Sequence, residues 1–462
     1  MIRLFRVFIP KSIIGLFLSD FILIYSCFLL PVLLTTPDFE IYMFYEDGIL
    51  KLTVGVLSVM MGLYYQDLYT EFQIRSQRTL LNQVLFVIGG VFLFQAFLAY
   101  INGDIVMQRS VVFIGCILIA LLLPFWRVVY TSYIYKGFGF YRVLFLGTDV
   151  VGVDIAERFA RNPELGFVGI GFVDQAHPPG TFVAGLPILG PPSELERIVA
   201  ETKPDRIAVS LAERRQALPV NVLLDLRFSG ITIEEASTLY EVAFGRVTIR
   251  RLRPSQLIFS KELGPQAWSM RLQSIYSFVL GLVGFIVAAP IMLLVGIAVK
   301  LTSPGPALFR QKRVGLNGEP FTLYKFRSMG VDAEAKTGAV WATRNDPRVT
   351  PIGRFLRKSR LDELPQLMNV IRGEMSIVGP RPERPEFVAT LSEQIPFYRQ
   401  RHCVKPGLTG WAQINYKYGE TIEDTIVKLE YDLYYIKNLS PSLDLYVIFH
   451  TIKVMLISRL GQ

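Results

Sequence analysis

The residues that most often carry soluble-enzyme chemistry are scarce in this chain. Of 462 residues, three are cysteine and three histidine. Cys27, Cys116 and Cys403 are scattered and odd in number, and two lie inside apolar runs. That pattern excludes a disulfide framework and points away from a thiolate zinc site. His177, His402 and His450 show neither a metal-ligand spacing nor a Ser-His-Asp pattern. Any metal is therefore expected to be a hard ion held by oxygen. Charge is also thin: 19% of residues are charged against 51% hydrophobic, and the mean hydropathy is +0.38. An excess of that size, gathered into separate apolar runs, predicts an integral membrane protein. No small-residue cleavage site follows Arg3, Arg6 and Lys11, so the first apolar run is expected to remain as a membrane helix.

Four apolar runs come first, near residues 12–34, 51–67, 80–100 and 110–133, each close to the length that spans hydrocarbon. Arg3, Arg6 and Lys11 precede the first. Arg75 and Arg78 separate the second and third, and Arg127, Lys136 and Arg142 close the fourth. The other two loops are acidic or sparse: Asp38, Glu40, Glu46 and Asp47 in one, Asp104 and Arg109 in the other. The positive-inside rule then puts the N-terminus, and everything after the fourth run, in the cytoplasm. Asp20, inside the first run, is either a functional carboxylate or a packing partner near the interface.

Residues 139–252 are soluble in character. Strand patterns at 141–147, 169–173, 206–209 and 232–234, with a helix running from Thr148-Asp149-Val150-Val151-Gly152 through Arg161, predict a small parallel α/β domain. Its first turn, Gly147-x-x-x-x-Gly152, lacks the glycine spacing that receives a pyrophosphate. No Tyr-x-x-x-Lys pair occurs in residues 140–252 either, which argues against a nucleotide-sugar oxidoreductase or dehydratase built on this domain. A structural or regulatory role is expected instead.

A linker at 252–263 leads to a fifth apolar run, 275–301, interrupted by Ala288-Ala289-Pro290. Proline removes a backbone donor and kinks a helix. A full crossing would carry the basic region beyond it out of the cell, whereas a broken helix that enters and returns keeps that region cytoplasmic; an ordinary kinked span stays open at this point. The remaining residues are polar, with helical spacing at 387–401 and 423–436. Tyr431, Tyr434 and Tyr435 suit a headgroup-level surface, and the apolar run 443–457 is expected to be packed or interfacial. Between Lys300 and Glu420 there are 20 Lys or Arg against 11 Asp or Glu, which accounts for the whole net charge of +9. Nucleic acid, anionic lipid and a diphosphate substrate each fit such a surplus.

Within that region lies Arg357-Lys358-Ser359-Arg360-Leu361-Asp362-Glu363-Leu364-Pro365-Gln366. A run of mixed charge is commonly a solvated helix face. Yet one carboxylate can attack phosphorus, a second can hold Mg²⁺, and adjacent cations can neutralise a diphosphate. The company it keeps favours the chemical reading. Pro304-Gly305-Pro306, the basic patches Arg310-Gln311-Lys312-Arg313 and Lys325-Phe326-Arg327-Ser328-Met329, and the stiff turns Gly379-Pro380-Arg381-Pro382 and Lys405-Pro406-Gly407-Leu408-Thr409-Gly410-Trp411 are all present. Rigid turns with single cations are suited to phosphate, because little ordering is left for binding to impose.

Taken together, these motifs resemble the bacterial sugar transferases, in their long polyprenyl-phosphate hexose-1-phosphate transferase form, over essentially the whole chain. One departure is Ala289-Pro290, where small members of the family have Ser-Pro. The resemblance implies a membrane protein of α plus α/β class: a four-helix transmembrane bundle (1–138), a Rossmann-like middle domain (139–252), and a monotopic catalytic domain with a re-entrant membrane helix (253–462) broken at Pro290. It implies transfer of hexose-1-phosphate from a UDP-hexose to undecaprenyl phosphate, with release of UMP, at the cytoplasmic face of the inner membrane, initiating exopolysaccharide, capsule or O-antigen synthesis. Asp362 would be the nucleophile and Glu363 the Mg²⁺ ligand. Arg357 and Arg381 would bind phosphate, with Lys325, Arg327 and Gln366 as further substrate-binding candidates. Inner-membrane lipids are the expected surroundings and nucleic acid is not an expected partner; a homodimer stays open. The rivals are a dehydratase and a non-enzymatic membrane scaffold. Against the scaffold, the membrane runs carry few ionisable groups while the basic surplus sits in the last domain.

Overall fold

The computed structural model describes residues 2–4, 6–69, 76–134, 140–211, 218–250, 264–331, 333, 348–416 and 421–457. Arg75, Lys136 and the linker 252–263 lie outside them. The chain divides into two compact bodies: residues 1–4, 8–148 and 156–233 in one, and 5–7, 149–155 and 234–462 in the other.

In the first body the four expected membrane helices are α1 (Lys11–Thr35), α3 (Gly48–Tyr65), α4 (Gln77–Ile101) and α5 (Arg109–Val129), with a short α2 (Phe39–Phe44) between the first two. All four are long and apolar enough to cross a membrane. Leu16, Ile24 and Phe28 of α1 share a buried cluster with Leu52, Val56 and Val59 of α3. Outward faces stay apolar, as at Leu18, Ile22, Leu93 and Leu121. In lipid such faces give no drive to associate, so packing and polar contacts must hold the helices together.

One polar contact does so. Asp20 Oδ2 accepts from Arg127 Nη2 at 2.6 Å and from the Tyr69 hydroxyl at 2.9 Å. Arg127 Nη1 donates to the Leu68 carbonyl at 2.6 Å. Both charged side chains are sealed, at 1% and 0% exposure. Asp20 is thus a packing partner tying α1 and α5 to the turn after α3. Arg127 is not the loop charge that its place near the end of the fourth run implied: its desolvation, costly in itself, is offset by the bonds to Asp20 and to the Leu68 carbonyl.

The rest of the first body is a six-stranded sheet. Its strands are β1 (Tyr141–Leu146), β2 (Phe167–Val173), β3 (Phe182–Val183), β4 (Leu186–Gly190), β5 (Arg206–Val209) and β6 (Thr232–Glu235), in the order β3-β4-β2-β1-β5-β6. β1 pairs in parallel with β2 and β5, and β2 with β4, while β3–β4 is antiparallel. The first strand therefore sits inside the sheet with later strands on both sides, as in doubly wound folds. The short β3 and β4 were not expected: β3 has two residues, and β4 contains Pro187 and ends in Gly190, which read as turn residues.

The second body begins before the expected linker. The helix Ala236–Phe244 and the residues after it pack with the C-terminal residues: Val247 and Ile249 join the apolar cluster of Trp411, Leu433 and Tyr434. Trp411 Nε1 donates to the Gly245 carbonyl at 2.8 Å, and Arg246 meets the buried Glu430 at 3.2 Å. The expectation that Tyr434 and Tyr435 lie at headgroup level is overturned, since both are 1% exposed. The Tyr434 ring stacks on Trp411, and the Tyr435 hydroxyl bonds the Val378 carbonyl and Asp444. A phenol whose hydroxyl finds buried partners is as content in a core as at an interface.

The fifth apolar run forms one helix, Ala267–Thr302, with Pro290 inside it. The chain stays helical through Pro290, where the proline deletes one hydrogen bond and can kink the axis without ending the helix. At about 1.5 Å per residue the helix is roughly 54 Å long, well beyond the ~30 Å of a bilayer core. Both halves touch the rest of the second body. Near the start, Gln273 bonds the Val378 carbonyl and Asp444; near the end, Val295 and Val299 pack on Phe326 and Leu356.

Candidate active site

The basic patches form a hairpin, Leu308–Val314 against Pro320–Phe326, antiparallel with Lys325 opposite Phe309. Asp362 and Glu363 lie on a tight helical turn, Leu361–Gln366, that follows the helix Pro351–Ser359. Arg360 makes the join in the left-handed region, at φ 58°. The turn's Leu361 and Leu364 pack into the cluster of Val295, Val299, Phe326 and Leu356. The apolar frame of the motif thus seats both carboxylates against the end of the membrane-length helix. Asn369, fully buried, locks the turn's continuation to the hairpin: its Oδ1 accepts from Tyr324 N at 3.2 Å and its Nδ2 donates to the Thr322 carbonyl at 2.7 Å.

Glu363 collects cations from three segments. Its Oε1 receives Lys325 Nζ at 2.9 Å and Arg381 Nη2 at 3.0 Å, while Oε2 stands 3.7 Å from Arg360 Nη1. Burial works to raise its carboxyl, but Arg381, then Lys325 and Arg360, hold it well below the usual carboxylate range. Asp362 goes the other way. Burial first, and then the Glu363 charge, push its carboxyl up, against the pull of Lys325, Arg357 and Arg360. Two adjacent carboxylates are thereby pushed apart in acidity, as paired catalytic carboxylates often are. Asp362 is 7% exposed, and its Oδ1 is buried without a hydrogen-bond partner.

The other expected residues are distributed less simply. Arg357 Nε donates to Ser328 Oγ at 2.9 Å, and its charge still reaches Asp362. Arg327 turns instead to Ser303, bonding its carbonyl at 2.8 Å and its hydroxyl at 2.7 Å, at the end of the membrane-length helix. Gln366 is 4% exposed with its Nε2 unpartnered. Sequence reasoning missed Arg360 as a member of the Glu363 cluster, although it is one of the three cations of the motif. It also missed Ser328 and Asn369, whose positions carry no signal without the fold.

Among the described residues, no three His, Cys, Asp or Glu stand together as a metal-binding group. Magnesium does not require one, since it keeps waters and binds through one or two carboxylates plus substrate phosphates. The donor set fits that habit: with Glu363 Oε1 taken by Lys325 and Arg381, its farther oxygen, Oε2, is the one left to meet the ion.

Comparison with known proteins gives the family. The family described as Bacterial sugar transferase matches residues 268–458, and that described as CoA-binding domain matches residues 65–234. A UDP-N-acetylgalactosamine-undecaprenyl-phosphate N-acetylgalactosaminephosphotransferase of Aeromonas hydrophila is 42% identical over 226 residues, 49% of this chain and 52% of that protein. A UDP-glucose:undecaprenyl-phosphate glucose-1-phosphate transferase of Escherichia coli (strain K12) is 35% identical over 326 residues, 68% of each. The exopolysaccharide production protein PSS of Rhizobium leguminosarum bv. phaseoli is 43% identical over 172 residues, 36% of this chain and 86% of that protein. The chain thus spans between about half and most of the length of these relatives. On these matches and this site, the chain belongs to the bacterial sugar transferase family.

Proposed function

We propose that this protein transfers a hexose-1-phosphate from a UDP-sugar to undecaprenyl phosphate, releasing UMP, as the first step of a surface polysaccharide. The observation that carries the reading is the carboxylate pair: Asp362, buried with a free oxygen, beside Glu363, which Lys325 and Arg381 hold ionised. The names of the relatives supply the substrate class.

Asp362 Oδ1 attacks the phosphorus that bears the sugar. A bond forms from Asp362 to that phosphorus as its bond to the bridging oxygen breaks, and UMP departs with that oxygen. A phosphate oxygen of undecaprenyl phosphate then attacks the same phosphorus and breaks its bond to Asp362. The products are UMP and a lipid diphosphate-sugar, and the carboxylate is regenerated. Lys325, Arg381 and Arg360, already ordered around Glu363, would meet the diphosphate oxygens, so little reorganisation remains when charge develops. Magnesium held by Glu363 would neutralise charge on the leaving UMP.

The membrane-length helix fits a re-entrant placement in the cytoplasmic leaflet of the bacterial inner membrane. Contacts from Gln273 at one end to Val299 at the other reach the same catalytic body. A straight crossing would put those ends on opposite sides of the bilayer. A donor dissolved in water and an acceptor confined to lipid could then use one site in turn.

The test is UMP release by the purified protein in nanodiscs, over a panel of UDP-hexoses and UDP-N-acetylhexosamines with undecaprenyl phosphate. The expected result is sustained release with one or a few donors. Absence of release with every donor overturns the proposal.

A further inference from the structure

The turn that carries Arg381 is held from both ends and in the middle. The Val378 carbonyl accepts from Gln273 Nε2 and from the Tyr435 hydroxyl, each at 3.2 Å. The Pro380 carbonyl accepts from Gly407 N at 2.9 Å, that of Pro382 from Arg313 Nη1 at 3.0 Å, and that of Glu383 from Val314 N at 2.9 Å. The flanking prolines restrict their own φ and bias Arg381 toward extended backbone. What they leave free is the final orientation of the peptide plane after Arg381, which decides where its side chain sets out.

That plane has its own clamp. Arg401 Nη2 donates to the Arg381 carbonyl at 3.1 Å. Arg401 is itself fixed on every side: Nε to Asp432 Oδ2 at 3.0 Å, Nη2 to the same oxygen at 2.8 Å, and Nη1 to the Tyr398 hydroxyl at 2.7 Å. Its side chain is 7% exposed and that of Asp432 2%. A buried ion pair is weak evidence for stability, since apolar residues of like volume often do as well. The guanidinium, however, has donors enough in one rigid fork to bond a carboxylate, a hydroxyl and a carbonyl together.

We propose that Arg401, clamped by Asp432 and Tyr398, is a positioning residue of the transfer site: by fixing the Arg381 carbonyl it sets the guanidinium that meets Glu363. The inference rests on the reaction proposed above. Arg401 touches neither substrate nor a reacting atom; its effect runs wholly through Arg381. Lysine at 401 would keep the charge facing Asp432 but could not bond Asp432, Tyr398 and the Arg381 carbonyl at once.

A double-mutant cycle on kcat/KM for the UDP-sugar, with the full chain in nanodiscs, tests this. Arg401→Lys should lower kcat/KM by about tenfold when Arg381 is present, since a displacement of about 1 Å near the chemistry costs roughly 10- to 100-fold. In the Arg381→Ala background the same change should cost less than about twofold. Tyr398→Phe, a milder release of the same clamp, should show the same coupling at smaller size, and it carries the test if Arg401→Lys does not fold. An equal loss in both backgrounds, or no loss at all, overturns the inference while leaving the reaction standing. A wild-type protein that releases no UMP overturns the reaction, and this inference with it.

Discussion

Gly379→Ala is the smallest change that probes how the Arg381 turn is seated. A Cβ at Gly379 would lie 2.4 Å from the Lys405 carbonyl oxygen, 2.8 Å from Gly407 N and 3.0 Å from the Pro406 carbonyl carbon. All three are backbone atoms, so no side chain can swing aside. Ordinary contact starts at 3.4 Å, so the 405–407 segment must retreat by 3.4 − 2.4, about 1 Å. Beside the parallel pairing of Ser376–Val378 with Gly407–Thr409, three hydrogen bonds at its ends hold the two turns: Ser376 N to the Pro406 carbonyl at 2.8 Å, and Gly407 N to that of Pro380 and Gly379 N to that of Thr409, both at 2.9 Å. A retreat of ~1 Å takes each of them past useful length. At about 1 kcal/mol each, the loss is about 3 kcal/mol. That corresponds to a fall on the order of 10 °C in the melting of a body this size. Arg381, two residues on and 3.0 Å from Glu363, should shift by a similar distance, for a loss of up to ~10²-fold in kcat/KM. The assays are UMP release and thermal melting in the same lipid. A variant that melts like the wild type, with kcat/KM within about twofold of it, shows that the two turns are not seated on each other in this way.

Three further outcomes follow from the same contacts. Attack needs Asp362 ionised, and burial and then Glu363 raise its carboxyl, so kcat/KM should fall as pH drops through the raised value. Glu363→Gln removes a neighbour that raises it and should move that acid limb to lower pH; Lys325→Met removes a cation that lowers it and should move the limb higher. Shifts in the opposite sense contradict the assignment. Arg246→Ala strips the buried Glu430 of its 3.2 Å partner and should cost about 3–5 kcal/mol, read as a drop in melting temperature without a change in KM. Cysteines placed at Gly264 and at Gly305, on either side of the membrane-length helix, should both react with an impermeant thiol reagent from the cytoplasmic face alone; labelling from opposite faces would rule out the re-entrant placement.

The membrane helices were legible because a water-soluble fold has little use for about twenty apolar residues in a row, and α1, α3, α4 and α5 lie where those runs predict. The parallel strands were legible for a related reason: Tyr141–Leu146 and Phe167–Val173 are short apolar runs bounded by glycines or a charged turn. What escaped depended on partners remote in sequence. Arg127 reads as a loop charge until Asp20, 107 positions away, is found beside it. Tyr434 and Tyr435 have the amphipathic character of an interface, and only Trp411, Val378 and Asp444 show that they are core. Val247 and Ile249 carry no mark of which core they join. In the site, Asp362 and Glu363 were visible as adjacent carboxylates in a basic run, and Lys325 and Arg381 as single cations on a basic strand and a stiff turn, 38 and 18 positions from Glu363. The residues that hold the cations in place, Arg401 and Asn369 among them, bond backbone carbonyls and amides, and that task leaves no pattern in a sequence.

The mechanism stands or falls on whether Asp362 carries the sugar phosphate between donor and acceptor. The direct measurement uses UDP-sugar labelled at the phosphate next to the sugar, mixed with the purified protein without undecaprenyl phosphate. The expected result is a burst of about one UMP per active site, with the label bound covalently to the peptide containing Asp362 and released on adding undecaprenyl phosphate. Asp362→Asn should give neither burst nor label. If the wild type releases no UMP until the lipid is added, and no labelled peptide is found, then phosphate passes directly from donor to acceptor and Asp362 is not the nucleophile.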